Sequence, residues 1–254
     1  MCPTFVPVTH RDGKAIDAGG AFLHFHADHV RLSGQTGRHE EWQRRKSHHD
    51  NTTTRRKDKS MADIASICVF CGSRFGSDPG YRDGARHLGQ EIARRGIRLV
   101  YGGGHVGLMG VVADAVLAAG GKVVGIIPRH LQVREVHHKG LSELHVVDSM
   151  HARKQMMFEL SDGFVALPGG IGTLDETFEI MTWRQLGLHD KPLVILDQGG
   201  FWQPLQAMLE AIVAGGFLDA GVADYYSFVA DVEGVFTALA AAPPRQGSGY
   251  RERL

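Results

Sequence analysis

The stretch GFVALPGGIGTLDE, residues 163–176, carries a strand, a turn and a helix start in one short run. The apolar residues GFVAL predict a buried strand, since no polar residue alternates with them. Pro168 and three glycines then break the strand, because glycine permits tight turns and close backbone approach. A helical pattern follows at about 172–186. A buried strand joined to a helix by a short glycine turn is the repeating unit of a parallel α/β sheet.

The same unit recurs along the chain from residue 64 onward. Apolar runs predict buried strands at 64–71, 97–103, 122–128, 144–150, 163–170, 191–197 and 225–231. Helical patterns lie between or after them, at roughly 79–95, 107–120, 150–161, 172–186, 201–215 and 232–241. Right-handed crossovers would place these helices on both faces of the sheet. We therefore expect an α/β fold with a doubly wound, mostly parallel, Rossmann-like sheet of about seven strands flanked by helices.

The two ends of the chain differ from this body. Residues 1–60 hold 7 of the 15 histidines, few periodic apolar positions and polar runs such as RHEEWQRRKSHHDNTTTRRKDKS. Such a segment buries too little apolar surface to offset its ordering entropy, so we expect a disordered extension. His48 and His49 leave open a metal-binding tail. Residues 61–243 are expected to form a single Rossmann-like domain, and residues 244–254 a loose tail.

The composition limits the classes of partner and compartment. Of 254 residues, 43% are hydrophobic and 22% charged, and the net charge is zero. Nothing therefore indicates nucleic acid or an anionic membrane surface as the partner. Three cysteines are too few for a disulfide framework, which favours a reducing, cytoplasmic compartment. No charge-free apolar run reaches the roughly 18 residues that a membrane span needs, and the N-terminus lacks a secretory signal pattern.

A second glycine turn, GGGHVGLMG at 102–110, also follows a strand and precedes a helix. Helix starts of this kind bind anions through free N–H groups and the positive end of the helix dipole. This turn is not a dinucleotide fingerprint, because the next strand ends in Pro128 and Arg129 without an acid. It lacks the GK[ST] of a Walker loop as well. Two such turns at the carboxyl edge of one sheet predict a nucleoside monophosphate as the ligand.

The charged residues near these turns allow two interpretations each. Thr173-Leu174-Asp175-Glu176 fits a capping box, in which Glu176 would bond the Thr173 N–H. Alternatively, Glu176 points across a pocket, where it would activate water or stabilise a developing cation. Arg153 and Lys154 form either a solvated basic face or a group that binds phosphate or sugar hydroxyls.

The cysteines and histidines of the body predict neither a redox centre nor a metal site. Residues three apart in a strand point to opposite faces, with Cα atoms about 10 Å apart, beyond the roughly 7 Å limit for a disulfide. Cys68 and Cys71 therefore belong to a structural strand. The histidines at 105, 130, 137, 138 and 151 share no metal-ligand spacing, so no metal is expected.

Five motifs together resemble the Lonely Guy family over about residues 64–241. They are CGS at 71–73, GGGxxGLMG at 102–110, SMHxRK at 149–154, PGGxGTxxE at 168–176 and TWxQLG at 182–187. Members of this family are cytokinin riboside 5′-monophosphate phosphoribohydrolases, formerly grouped as lysine decarboxylase-like. The resemblance implies a nucleotide-hydrolase domain at 61–243. It would cleave the N-glycosidic bond of a cytokinin riboside 5′-monophosphate or AMP to free base and ribose 5-phosphate, without a cofactor.

The resemblance also implies roles for single residues. The family's catalytic residues fall on Arg153 and Glu176, and its phosphate-binding turn falls on Gly169, Gly170, Gly172 and Thr173. From the other strand ends we expect further substrate contacts from Gly72, Ser73, Gly103, Gly104, Met109 and Lys154. Family members are usually dimers or larger assemblies. The apolar residues at 178, 180, 181 and 183 are compatible with a helix buried on another subunit.

Two other functions remain open. A non-catalytic nucleotide-binding protein would bind AMP without turnover. A lysine decarboxylase would need a lysine that forms a Schiff base with pyridoxal phosphate. The lysines of the body are Lys122, Lys139, Lys154 and Lys191, and none lies in a recognisable cofactor motif.

Overall fold

The computed structural model describes residues 64–132 and 137–241 of the chain. The predicted extension at 1–60, the tail at 244–254 and the outer limits of the domain lie outside these residues. Within them, no helix is long and apolar enough to cross a membrane.

Strands and helices alternate through the described part of the chain. The strands are β1 (Ser66–Phe70), β2 (Arg98–Tyr101), β3 (Val123–Pro128), β4 (Glu143–Val147), β5 (Gly163–Ala166), β6 (Leu193–Leu196) and β7 (Ser227–Val229). The helices are α1 (Pro79–Arg94), α2 (Gly107–Ala118), α3 (Arg129–Gln132), α4 (Met150–Glu159), α5 (Ile171–Gln185), α6 (Gln203–Ala214) and α7 (Val232–Ala241). Short 3-10 helices at Gln198–Gly200 and Ala220–Asp224 flank α6.

The described strands form one sheet in the order β4-β3-β2-β1-β5-β6-β7, and every pair is parallel. The chain winds outward from β1 to β4, then returns to place β5 on the other side of β1 and winds outward to β7. This confirms the predicted doubly wound α/β fold. The strand order reverses between β1 and β5, and ligands of such sheets bind in the crevice beyond the strand ends at that switch point.

Helices bury both faces of the sheet. Along β1, Ile67 and Val69 face one apolar cluster while Cys68 and Phe70 face the other. The first cluster contains residues of α1, α2 and α7, and the second contains residues of α4, α5 and α6. Each fully buried aliphatic side chain contributes about 1.5–3 kcal/mol to folding. Because both faces are covered, the inner strands β1, β3, β5 and β6 are buried along their whole length, whereas the edge strands β4 and β7 contain exposed polar residues.

The CxxC segment belongs to this core. Cys68 and Cys71 are free thiols that pack into opposite clusters, as the strand geometry predicts. Burial raises the pKa of both thiols well above its usual value. Buried, protonated thiols on opposite faces favour neither disulfide nor thiolate chemistry.

His189 is a buried histidine that the fold holds neutral. Its side chain packs beside Phe158 and Phe164, and the residue is only 3% exposed. The ring accepts the Lys191 N–H at Nδ1 (3.1 Å), so Nε2 carries the proton and donates to the Ile180 carbonyl (2.9 Å). Burial lowers the pKa of His189 from 6.5 to about 4.

We expect the free energy of unfolding to fall on acidification because of His189. The unfolded chain binds this proton near pH 6.5 and the folded chain near pH 4, so stability present above pH 6.5 is lost between these values. The loss amounts to about 3 kcal/mol at most. Urea unfolding at pH 7 and pH 4.5 measures it. His189→Gln, which retains an N–H donor, should not show this loss of unfolding free energy on acidification. His87→Gln, on the exposed face of α1, should show the same loss as the wild type. Equal acid sensitivity in both variants would contradict the assignment.

Candidate active site

Three strand-to-helix turns meet at the switch point of the sheet. The Gly72 N–H, just after β1, donates to the Pro168 carbonyl after β5 at 3.1 Å. The Gly72 carbonyl accepts the Leu108 N–H at the start of α2 at 3.0 Å. These backbone bonds join the turns after β1, β2 and β5 into one surface, as the predicted topology requires.

The turn after β5 combines tight packing with open space. A Cβ on Gly169 would overlap the Thr173 hydroxyl and lie 2.9 Å from the Gly72 nitrogen, so only glycine fits there. A Cβ on Gly170 or Gly172 would meet nothing within 4 Å. No side chain caps α5 at its N-cap Gly170. The first N–H groups of α5, which lack intrahelical acceptors, thus border a space that an anionic ligand can enter.

The capping-box interpretation of Glu176 is wrong. α5 begins at Ile171, so Thr173 lies inside the helix and not at its N-cap. Thr173 is buried, and its carbonyl accepts the Thr177 hydroxyl at 2.7 Å. Glu176 lies further along α5, beyond the positions that cap a helix, and its side chain faces Arg153 of α4.

Arg153 is a buried side chain and not part of a solvated basic face. It is 8% exposed and reaches from α4 across the ends of two strands. Its Nε donates to the Ile126 carbonyl in β3 (3.2 Å), and its Nη2 donates to the Gly102 carbonyl after β2 (3.4 Å). A Cβ on Gly102 would overlap the guanidinium group. The strand ends therefore hold the guanidinium plane, and the first glycine of GGGHVGLMG makes room for it.

Arg153 and Glu176 form a buried ion pair. Arg153 Nη1 lies 3.7 Å from Glu176 Oε1, and the two side chains are 9% and 11% exposed. Burial raises the pKa of Glu176 to about 7, although the Arg153 charge lowers it, and nearby Asp175 adds to the rise. A carboxyl group that titrates near neutral pH is suited to general acid–base catalysis.

Lys154 follows Arg153 on α4 but contacts a different pair of groups. Its Nζ lies 3.2 Å from Asp175 Oδ2 and 3.1 Å from Glu179 Oε1. Two carboxylates of α5 therefore engage the lysine for which a substrate contact was predicted.

The other predicted substrate contacts are distributed around the turns. Ser73 is exposed beyond β1, and Gly103 has the positive φ of 77° that favours glycine. Gly104 pairs with His137 in an isolated antiparallel bridge. Met109 is 8% exposed and packs into the core beneath α2. The structure thus gathers the glycines and Ser73 at the switch point, whereas the Met109 side chain serves the core.

Sequence reasoning missed the groups that orient the basic residues. Gly102, the Ile126 carbonyl and Glu179 were not expected to take part. The run of three glycines signalled close packing at Gly102 but not its partner. A backbone carbonyl in a strand leaves no signal in the residue type, so the Ile126 contact was not accessible from the sequence.

A histidine cluster lies beside the second turn. The ligand atoms of His105, Asp114 and His138 lie within 4.8 Å of one another. His138 Nδ1 accepts the Gly140 N–H (3.0 Å), so its Nε2 carries a proton and donates to Asp114 Oδ1 (2.7 Å). A metal would need that nitrogen's lone pair, and metal-bound histidines normally donate from the second nitrogen. This geometry favours a hydrogen-bonded pair, and the absence of a metal site stays a prediction.

Comparison with known proteins gives a consistent result. A family model described as "Possible lysine decarboxylase" matches residues 109–239. A cytokinin riboside 5′-monophosphate phosphoribohydrolase from Rhodococcoides fascians is 46% identical over 175 residues, which cover 68% of this chain and 88% of the relative. An enzyme of the same name from Arabidopsis thaliana is 45% identical over 168 residues, covering 66% of this chain and 76% of the relative.

A solved structure shares the fold at lower sequence identity. The molybdenum cofactor binding protein from Rippkaea orientalis aligns with a TM-score of 0.53 and 23% identity over 68% of this chain and 93% of that protein. At this identity the likeness concerns the fold alone. The match to the family model and the identity to the curated relatives show that the chain belongs to the Lonely Guy family, that of the cytokinin riboside 5′-monophosphate phosphoribohydrolases.

Proposed function

We propose that the protein is an N-glycosyl hydrolase that cleaves nucleoside 5′-monophosphates to free base and ribose 5-phosphate. The substrate is a cytokinin riboside 5′-monophosphate, AMP, or both. The observation that carries this proposal is the buried Arg153–Glu176 pair, 3.7 Å apart, beside a glycine turn at the switch point. The names of the relatives that share nearly half of their aligned residues support the same reaction.

The phosphate binds at the start of α5 in this proposal. Gly170 and Gly172 leave the helix start open, and its first N–H groups and dipole attract the anion. The tight packing at Gly169 and Thr173 holds this turn in place. Binding energy from the phosphate, which does not react, keeps the ribose in register for the reaction.

Glu176 and Arg153 act at the sugar. Water adds its oxygen to C1′, the C1′–N bond breaks, and the departing base takes up the proton that the attacking water loses through Glu176. The transition state has oxocarbenium character, as in other glycosyl transfers, so a carboxylate beside C1′ stabilises it and accepts a proton from water. Arg153 lowers the pKa of Glu176 and keeps part of the buried carboxyl group ionised. In this proposal its Nη1, which lies 3.7 Å from Glu176 Oε1, contacts a sugar hydroxyl.

The activity is expected to rise with pH through neutrality. The pKa of Glu176 is about 7, above the usual 4.5, and the reaction requires the carboxylate. The rate should therefore increase about tenfold per pH unit well below pH 7 and level off above it. Initial rates of base release from AMP between pH 5.5 and 9 test this. A profile already flat at pH 6 would contradict the assignment.

The direct test of the function is incubation of the pure protein with AMP and with isopentenyladenosine monophosphate. Free base and ribose 5-phosphate, formed in equal amounts, are the expected products. Comparison of the two substrates determines whether the isoprenoid side chain is required. Tight AMP binding without either product would show a nucleotide-binding protein instead.

The decarboxylase alternative does not fit the lysines of the described residues. Lys122 and Lys139 are exposed, and Lys191 Nζ donates to the Phe158 carbonyl at 2.6 Å. Burial alone would lower the pKa of Lys154, but its bonds to Glu179 and Asp175 leave that pKa raised. A Schiff-base lysine needs the opposite shift. We therefore assign no role to pyridoxal phosphate.

The protein is further proposed to act as a homodimer or larger homo-oligomer. Of the four apolar residues first considered for the interface, Ile180 and Met181 are buried in the subunit's own core, and Phe178 and Trp183 are half-buried against it. Support comes instead from Ile171 and Leu186, at the two ends of α5, which are 82% and 66% exposed. A cytoplasmic location also stays a prediction, supported by the free thiols of Cys68 and Cys71.

A further inference from the structure

The chain before β4 is bonded to the glycine turn that follows β2. Gly104 pairs with His137 in an antiparallel bridge. The next residue, His138, donates its backbone N–H to the Gly103 carbonyl at 3.3 Å. Gly103 also lies against β3, because a Cβ on Gly125 would come within 2.9 Å of the Gly103 Cα. The second and third glycines of GGGHVGLMG are therefore held by residues from outside the turn.

The His138 side chain extends this attachment to α2. The residue is 9% exposed, and its Nε2 donates to Asp114 Oδ1 at 2.7 Å. Its Nδ1 accepts the Gly140 N–H at 3.0 Å, which fixes the orientation of a neutral ring. The His105 ring stands edge-on to it, with 4.7 Å between the ring centroids. Because Asp114 lies on α2, the bond joins the segment before β4 to the helix that the glycine turn opens.

The first glycine of the same turn contacts the arginine of the buried ion pair. The Gly102 carbonyl accepts Arg153 Nη2 at 3.4 Å, and a Cβ on Gly102 would overlap the guanidinium group. Gly102 and Gly103 are adjacent in the chain. A shift of Gly103 would therefore move the carbonyl that orients Arg153.

We propose that His138 is a positioning residue for the hydrolysis, which with Asp114 clamps the glycine turn so that the Gly102 carbonyl holds Arg153 opposite Glu176. This inference rests on the proposed function, since it assigns a role in that reaction. His138 acts here through Arg153 and makes no contact with the reacting atoms.

The run of three glycines explains why a clamp is useful at this place. Glycine has more conformational freedom to lose on folding than any other residue, so three in succession would hold the Gly102 carbonyl only loosely. A catalytic group that is misplaced by about 1 Å can lose much of its effect on the rate. Bonds from the His138 backbone and side chain supply the support that the glycines themselves lack.

The first test removes one bond of the clamp at a time. Asparagine at position 138 keeps an acceptor for the Gly140 N–H but is too short to reach Asp114, whereas glutamine carries a donor near the position of Nε2. We expect kcat for base release from AMP to fall about tenfold in His138→Asn and less than about threefold in His138→Gln. Asp114→Ala should match His138→Asn, and the two substitutions together should cost no more than either alone. His87→Asn on α1 should match the wild type.

The second test measures the ionisation of Glu176 in the absence of turnover. His138→Asn replaces one neutral side chain with another and leaves every ionisable group that faces Glu176 unchanged. A weaker hold on Arg153 should then raise the midpoint of the Glu176 titration by roughly 0.5 unit, as measured by carbon-13 NMR. The groups that face Glu176 are Arg153 and Lys154 from α4, Asp175 and Glu179 from α5, and the thiols of Cys68 and Cys71 from the sheet.

The third test asks whether His138 acts through Arg153. In an Arg153→Met protein the residue that the clamp positions is absent, so His138→Asn should cause less than a twofold further loss in kcat/KM. A clamp that only stabilised the fold, or that acted on the substrate directly, would lower kcat/KM by the same factor in both backgrounds.

A full tenfold loss in the Arg153→Met background would overturn the inference, and so would an unshifted Glu176 midpoint in folded His138→Asn. Melting temperatures show which variants are folded. If His138→Asn does not fold, Asp114→Ala gives the same test, because loss of a negative charge alone would lower the midpoint and a rise would still report movement of Arg153. An inactive wild-type protein would refute the proposed function, while the NMR midpoints would still decide whether the clamp holds Arg153.

Discussion

Glu176→Gln is expected to lower kcat for base release from AMP by about 10³-fold, the largest effect of a single substitution in this protein. Glutamine keeps the size of the side chain and its place beside Arg153, but it neither accepts a proton from water nor carries a negative charge. Both contributions act in the transition state and not in the bound substrate. The loss should therefore appear in kcat, with KM for AMP changed only a few-fold.

The control for this substitution is Glu210→Gln. Glu210 lies on the exposed face of α6 and bonds Gln206, away from the switch point. The Glu210→Gln variant should therefore retain the wild-type kcat. The folded state of Glu176→Gln is checked by its melting temperature, which we expect to fall, because the buried Arg153 loses its paired carboxylate although the glutamine carbonyl still faces it. A Glu176→Gln protein with wild-type turnover would refute the catalytic assignment.

Arg153→Met is expected to lower kcat/KM for AMP by roughly 10²–10³-fold. Methionine fills part of the buried volume but removes the cation opposite Glu176 and the donors to the Ile126 and Gly102 carbonyls. Since the Arg153 charge lowers the pKa of Glu176, its loss should also move the midpoint of the pH–rate profile above 7. Kinetics between pH 6 and 9.5 separate this shift from the loss at the plateau.

Arg153→Lys separates the contribution of the positive charge of Arg153 from that of its planar guanidinium group. Lysine restores a positive charge near Glu176, so the midpoint should return toward 7. It does not reproduce the planar group that lies over Gly102, so the plateau rate should remain low. Arg86→Met, an exposed arginine on α1 paired with Asp83, serves as the matched control and should leave both quantities unchanged. Wild-type plateau rates in Arg153→Lys would show that charge alone suffices.

Much of the fold was accessible from the sequence, because its signals are local. Apolar runs in the sequence predicted the positions of the strands. The predicted PGG turn follows β5, as expected. The glycine turns at 102–110 and 167–173 marked the carboxyl edge of the sheet correctly, since glycine chemistry acts over a few residues. The geometry of CxxC within β1 also followed from the strand period alone.

The partners of the charged residues were decided by the tertiary structure. The sequence allowed Glu176 to cap its own helix or to face Arg153, 23 residues earlier, and only the start of α5 at Ile171 excludes the cap. It likewise left Lys154 between a solvated basic face and a phosphate contact, and only the structure shows its carboxylate partners on α5. Ile180 and Met181 looked suitable for a partner subunit, yet the sheet face covers them. Strand and turn preferences depend on neighbouring residues and are written in the sequence. Contacts between α4 and α5 depend on how parallel strands align and set the two helices side by side, a placement that no short stretch of residues contains.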